Sequence, residues 1–260
     1  MNGEPAVPLT GTPVDRLPFT VHAVMAEWFE EWFGEEYLQL YAHRDDADAE
    51  RAVALLRSLL PWRTGWRVLD VGCGAGRHAR AIEAAGARCI GVDLSASLLR
   101  RAREVTNAPL VRADMRALPV RSRSMDLTVN LFTSFGYFDR DDQHLLALRQ
   151  MAETVRQGGW FVLDFLHAAT VRETLVPGPR AIAPGMTGER RISADGRFVS
   201  KMVKLADGRR LQERVRLFTP AELEALLQSA GVQVVHRFGD YDGGPLRPGA
   251  PRTLLLGQVA

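Results

Sequence analysis

The chain has 260 residues, 46% hydrophobic and 25% charged, and its 33 basic against 31 acidic residues leave a formal charge of +2. These proportions belong to an ordinary globular protein and exclude a disordered, collagenous or low-complexity chain; at this length roughly 70–75% of the unfolded surface can be buried without a disulfide or metal staple. The near-neutral charge argues against a nucleic-acid partner, and no run of about 18 apolar residues is available to span a membrane.

Residues 1–20 carry Pro5, Pro8, Pro13 and Pro18 with few large apolar groups and read as a flexible arm. Within 21–41, Met25, Trp28, Phe29, Trp32 and Phe33 recur at helical spacing until Gly34 interrupts them. A second helix, about 47–60, stops at Pro61. Residues 21–62 are expected to form a helical lid. From Trp66 the pattern becomes an α/β alternation. Short apolar runs at 67–71, 88–93, 110–111, 125–129 and 160–165 look like buried parallel strands, with helices expected near 77–85, 97–105 and 141–156. Such alternation predicts a doubly wound, Rossmann-like sheet within residues 63–260, its ligand beyond the carboxyl ends of the strands.

The rhythm changes after the fifth strand. Asp195-Gly196 and Asp207-Gly208 are hairpin signals, and three antiparallel strands are expected between about 187 and 218, within an inserted lid at about 170–218. Thr219-Pro220-Ala221-Glu222 reads as a capping box with proline at the first helical position, opening a helix to about 230. Two last strands, about 232–238 and 253–259, flank Asp242-Gly243-Gly244-Pro245.

The chemistry concentrates in Val68-Leu69-Asp70-Val71-Gly72-Cys73-Gly74-Ala75-Gly76-Arg77. A buried strand delivers an acid and then a glycine turn into a helix, so a ligand can lie against bare main chain. In a dinucleotide fingerprint counted from Gly72, the last small position falls on Arg77, which opposes a nicotinamide cofactor. Asp70, two residues before the first glycine, suits a ligand with a cationic amino-acid end. Asp93 closes the next strand, where an acid can accept from both ribose hydroxyls. Asp114 follows the third, placed to take an adenine amino proton while Met115 packs on the ring. Each acid alone could equally be a helix cap; together, at three adjacent strand ends, they describe an adenosine site.

These residues resemble the class I S-adenosylmethionine-dependent methyltransferases, Asp70–Gly76, Asp93 and Asp114 falling on the cofactor motifs. The resemblance implies a seven-stranded sheet with a reversed C-terminal hairpin, S-adenosylmethionine as cofactor, and methyl transfer to a nucleophile. It extends to the stretch 130–138, which looks like the segment after strand four in a bacterial small-molecule subgroup. Cofactor contacts are accordingly expected from Gly72, Cys73, Gly74, Gly76 and Leu94, and from Asn130 and Phe132 after strand four. Tyr41 or Arg44 is a candidate for the cofactor carboxylate, though Arg44 could instead be a surface residue.

Base-methylating enzymes of the amino type resemble one another in an Asn/Asp-Pro-Pro-Tyr/Phe box; here Asn130 is followed by Leu131-Phe132-Thr133. The two cysteines, Cys73 and Cys89, lack CxxC spacing and lie outside the region where carbon-5 pyrimidine enzymes carry their nucleophile. No acidic or histidine cluster suggests a metal. The reading is therefore transfer to a nitrogen or oxygen atom of a small molecule, by a monomer or homodimer with no nucleic-acid or membrane partner. His167, following strand five, is a general-base candidate or a capping histidine; Tyr137 could orient the acceptor or simply pack. The alternatives are an NAD(P)-dependent oxidoreductase and a non-catalytic S-adenosylmethionine-binding protein. Met1-Asn2-Gly3-Glu4-Pro5 lacks the basic and apolar regions of a secretion signal, so a cytoplasmic location is expected.

Overall fold

The computed structural model describes residues 27–41 and 46–260. The arm expected at 1–20, Arg44 and the first residues of the proposed lid lie outside them. Two short helices, α1 (Trp28–Trp32) and α2 (Glu35–Leu40), break at Gly34, and α3 (Ala47–Leu59) ends before Pro61. The alternating core follows: β1 (Arg67–Val71), α4 (Arg77–Ala84), β2 (Arg88–Asp93), α5 (Ala96–Ala102), β3 (Leu110–Arg112), β4 (Met125–Asn130), α6 (Asp141–Thr154) and β5 (Val155–Leu166). After α7 (Ala168–Thr174) come β6 (Arg180–Ala183), β7 (Met186–Ile192), β8 (Phe198–Lys204) and β9 (Arg210–Arg216). The chain closes with α8 (Pro220–Ser229), β10 (Val232–Phe238) and β11 (Arg252–Val259).

The main sheet runs β10-β11-β5-β4-β1-β2-β3, parallel except for β11, which is antiparallel to both β5 and β10. Alternate residues of each strand serve opposite faces. Val68, Leu127 and Val162 pack on α3 and α4 through Val53, Leu56 and Ile82, while Leu69, Phe161 and Leu163 share a core with Met151 of α6 and Leu223 of α8. Strand order reverses between β1 and β4, and that switch point opens a crevice at their carboxyl ends.

The insertion differs from its expected form. It has four antiparallel strands, not three, in the order β6-β7-β8-β9, and α7 precedes them. The extra strand is only four residues long and turns at Pro184-Gly185, so it leaves little alternation to read. Both Asp-Gly turns close as expected: Gly196 and Gly208 sit at φ +71° and +88°, each donating to the carbonyl three residues back. Beyond the sheet, α6 ends at Thr154 and β5 starts at once, ahead of the strand expected from Trp160.

Two anchors fix this second sheet over the crevice. Trp32 of α1 is buried against Val203, Leu205 and Leu211. Arg216, buried at the end of β9, donates its N–H to the Gly136 carbonyl (2.8 Å) and its guanidinium to Asp141 and Glu222 (3.3 and 3.1 Å).

Candidate functional site

A cavity of about 1050 Å³ fills the crevice, floored by the glycine turn and the ends of β2 and β3, and roofed by α1, α2 and the inner face of β7–β9. Gly72, Gly74 and Gly76 have φ of +73°, +54° and +84°, a region L side chains adopt at a cost of roughly 1–2 kcal/mol. A Cβ on Gly72 would stand 2.6 Å from that of Ser134, and one on Gly76 would stand 3.0 Å from that of Ala102. Gly72 and Gly74 line the cavity, whereas Gly76 is the packing glycine that lets α4 meet α5. Cys73 lines it too, its thiol filling the space above Gly91; burial pushes that thiol well up, so it is no nucleophile.

The three acids behave differently. Asp70 lies directly behind the turn, fully buried, with Oδ2 unpartnered. Burial, and then the neighbouring charge of Asp93, raise its carboxyl to about 7 against the pull of Arg77. Such an orphaned acid fits a ligand carrying positive charge, because a nearby cation would favour its ionised form. Asp93 lines the cavity; its Oδ2 accepts from Gly74 N–H and its Oδ1 from Ser95 N–H, both at 2.8 Å. It therefore holds the turn in shape while still facing the cavity. Leu94, beside it, also lines the cavity. Asp114 and Met115 line the edge beyond β3, where Asp114 grips Arg116 in a fork (Nη2–Oδ2 2.6 Å) and Arg116 reaches on to Glu27 (2.9 Å). Burial opposes ionisation there, but the Arg116 hydrogen bonds win and hold Asp114 below the usual carboxylate range.

The segment after β4 forms one wall. Phe132, Thr133 and Ser134 line the cavity; Asn130 does not. Asn130 is wholly buried behind them, donating Nδ2 to the carbonyls of Val71 and Ser134 (2.9 and 3.2 Å), so it braces the wall instead of touching the ligand space. Phe132 and Thr133 are non-glycine residues at φ +57° and +64°. Asp164 of β5, entirely buried, accepts the Phe132 N–H (2.7 Å), the Tyr241 hydroxyl and Arg252 Nε. The guanidiniums of Arg77 and Arg252 stand 4.0 and 5.0 Å from the Phe132 ring centroid.

The roof is aromatic. Tyr137 lines the cavity, its hydroxyl donating to the Thr133 carbonyl and its ring meeting Trp28 and Phe33 at 5.5 and 5.3 Å. Phe33, Tyr37 and Tyr41 continue the row, and Tyr41 accepts from Lys201 Nζ at 2.8 Å. Lys201 faces Glu213 on one side and Arg190 on the other across β7–β9, and all three line the cavity. Arg44, the other candidate for a carboxylate, is outside the described residues.

His167 is a correction. It caps α7, its Nδ1 bonded to Thr170 Oγ1 (3.1 Å) and accepting the Thr170 N–H (3.4 Å), and it does not line the cavity. A histidine one residue past a strand and three before a threonine finds that cap before it finds a substrate. Sequence reasoning also missed Arg252, Lys201 and Glu213. They sit far along the chain from the glycine motif, and only the sheet pairings bring them to it.

Residues 68–159 match a methyltransferase domain model. The chain is 26% identical over 227 residues, 79% of its length and 90% of the relative's, to a dTDP-3-amino-3,4,6-trideoxy-alpha-D-glucopyranose N,N-dimethyltransferase from Streptomyces venezuelae. It spans 63% of the length of another curated relative, an uncharacterized protein of Methanocaldococcus jannaschii. Among solved structures, the sugar N-methyltransferase KedS8 from Streptoalloteichus sp. ATCC 53650 matches at TM-score 0.62 and 26% identity, covering 99% of both chains. The CcbJ methyltransferase of Streptomyces caelestis shares the fold at TM-score 0.74 and 21% identity, over 88% of this chain and 98% of its own. An acid behind a glycine turn, two more at the neighbouring strand ends and these likenesses fit S-adenosylmethionine as the cofactor better than a nicotinamide, and residues 68–159 carry a methyltransferase domain.

Proposed function

We propose that the chain methylates an amino nitrogen of a small-molecule acceptor. The observation that carries this reading is a continuous cavity that runs from the glycine turn to the Lys201–Glu213 face of the inserted sheet. Its volume of about 1050 Å³ stands at the top of the roughly 300–1,000 Å³ range of sites for one drug-sized ligand, so cofactor and acceptor can lie in it end to end. Bound on the glycine turn, S-adenosylmethionine supplies an activated methyl on a sulfonium. The protein's own task is placement, which is worth roughly 7–11 kcal/mol in well-oriented systems.

Three features divide that task. Asp93 and Asp114 face the adenosine end, and Asp70 favours positive charge behind Gly72. The wall of Phe132, Thr133 and Tyr137 borders the space between cofactor and acceptor. The aromatic roof of α1 and α2, with β7–β9, excludes water that would compete for the methyl. Nitrogen is favoured over oxygen on chemical grounds: an amine delivered neutral needs no strong base, and the histidine that would have served a hydroxyl is tied up in a helix cap. The relative that acts on a nucleotide-linked amino sugar supports the same acceptor class. The N-terminal helices and the insertion then act as the lid, and the acceptor is the partner of this site.

The test is release of S-adenosylhomocysteine against a panel of a dTDP-linked amino sugar, free amino sugars and phenols of matched size. Turnover with the amines and none with the phenols is expected. Turnover confined to hydroxyl acceptors would overturn the assignment.

A further inference from the structure

Two consecutive non-glycine residues in the left-handed region form the wall of the cavity, and one of them is β-branched. Thr133 at φ +64° is a conformation its side chain resists, and Phe132 at +57° adds to it. Strain of this kind, of order 1–3 kcal/mol per residue, persists only where the surroundings over-determine it. Here they do. The wholly buried Asp164 accepts the Phe132 N–H through Oδ2 (2.7 Å) and the Thr133 N–H through its main-chain oxygen (3.0 Å). Arg252 of β11 holds the same carboxylate through Nε and reaches Thr133 Oγ1 through Nη2 (3.1 Å). Tyr241, from the loop between β10 and β11, donates its hydroxyl to Asp164 Oδ2. Burial and the charge of Asp164 push that phenol up, so it remains a donor.

We infer that Asp164, Arg252 and Tyr241 are a positioning device: they lock Phe132–Thr133 into a left-handed backbone so that the wall between cofactor and acceptor keeps its shape. The consequence reaches the roof. The Thr133 carbonyl accepts the Tyr137 hydroxyl, and the Tyr137 carbonyl accepts Trp28 Nε1 at 3.1 Å. One carboxylate on β5 thereby sets the loop, the tyrosine that borders the acceptor space, and the seat of the first aromatic helix. Nothing in the sheet itself requires it. A parallel strand followed by an ordinary turn would close β4 without two disfavoured dihedrals.

The effect on turnover rests on the amine-acceptor reading; the effect on the loop does not, so the two can fail separately. Arg252→Lys keeps the charge but loses the fork that spans Asp164 and Thr133. Tyr241→Phe is a second, milder variant that removes only one donor. In the full chain, amide hydrogen exchange at Phe132 and Thr133 is expected to speed up at least tenfold in Arg252→Lys, with the β1, β2 and β4 amides unchanged. Affinity for S-adenosylhomocysteine, read by calorimetry, should change less than threefold. Turnover of the amine found active in the acceptor panel should fall at least tenfold in kcat with KM within threefold. Adding Thr133→Asn, which tolerates the left-handed region, should restore slow exchange and at least threefold of the lost kcat. Wild-type exchange at both amides in Arg252→Lys would overturn the inference. So would a uniform rise in exchange across the sheet with a matching loss of S-adenosylhomocysteine affinity, because the network would then be general scaffolding.

Discussion

The floor and the roof of the cavity are built in different ways. The floor is mostly main chain: Gly72 and Gly74, the ends of β1 to β3, and Asp93, whose bonds go to the backbone N–H groups of Gly74 and Ser95. The roof is side chain: aromatic rings from α1 and α2, and a Lys201–Glu213 pair from strands about 160 residues later, tied by Lys201 to Tyr41. A floor of backbone suits a ligand that stays the same; a roof of side chains can change with the acceptor while the floor is left alone. The difference makes separate demands of each half, and substitutions can break it in order of size.

The largest effect belongs to Gly72→Ala. The new methyl would meet Ser134 at 2.6 Å at a φ of +73°, adding about 1–2 kcal/mol of backbone strain to about 1–3 kcal/mol of overpacking. A loss of about 2–5 kcal/mol in denaturant-derived stability, with weakened S-adenosylhomocysteine binding, is expected; a stability within 0.5 kcal/mol of wild type would show that the turn has room to spare. Asp93→Ala comes next, weakening cofactor binding by about 1.5–3 kcal/mol, the scale of hydrogen bonds to a charged group. Calorimetry checks it, and unchanged affinity would remove Asp93 from the ribose.

Asp70 gives a pH signature. Its carboxyl is raised to about 7, so near neutrality the empty site holds part of a proton that a cationic ligand must displace. Binding releases that proton, and affinity for S-adenosylmethionine therefore rises with pH between about 5.5 and 7.5, by at most about tenfold per pH unit. Asp70→Asn should flatten the curve; an identical slope in that variant would refute the coupling. On the roof, Lys201→Gln should leave S-adenosylhomocysteine affinity within twofold and raise acceptor KM by the equivalent of about 0.5–1.5 kcal/mol. Equal losses for both ligands would erase the division between floor and roof. The smallest effect is expected from His167→Ala, about 1 kcal/mol of stability from the lost helix cap with turnover unchanged. A pH-dependent collapse of kcat would return that histidine to the chemistry.

The same division governs what the sequence could reveal. Asp70, Gly72, Gly74 and Gly76 lie within seven residues and their spacing is their geometry, so the turn was legible, as was the acid closing each neighbouring strand. The capping box at Thr219 and Glu222 formed as written, because both of its bonds are local. Asn130 does not reach the cavity because its amide is spent on the Val71 and Ser134 carbonyls, while Phe132 and Thr133, past the end of β4 in a left-handed turn, line it. Of its two readings His167 takes the capping one, because a cap three residues away outcompetes a distant ligand. Arg252 and Lys201 were invisible for a different reason. Arg252 depends on the antiparallel pairing of β11 with β5, and Lys201 on the packing of the inserted sheet against Tyr41, which no local pattern encodes. The fourth antiparallel strand, Arg180–Ala183, was missed because four residues leave little alternation to read.

The most direct test of the central claim is a crystal structure of the chain with S-adenosylhomocysteine. The account predicts the ribose diol within hydrogen-bonding distance of the Asp93 carboxylate, the homocysteine amine on the Gly72 side, and the sulfur facing the Phe132–Tyr137 wall. A ribose held elsewhere, with Asp93 occupied only by Gly74 and Ser95, would contradict it.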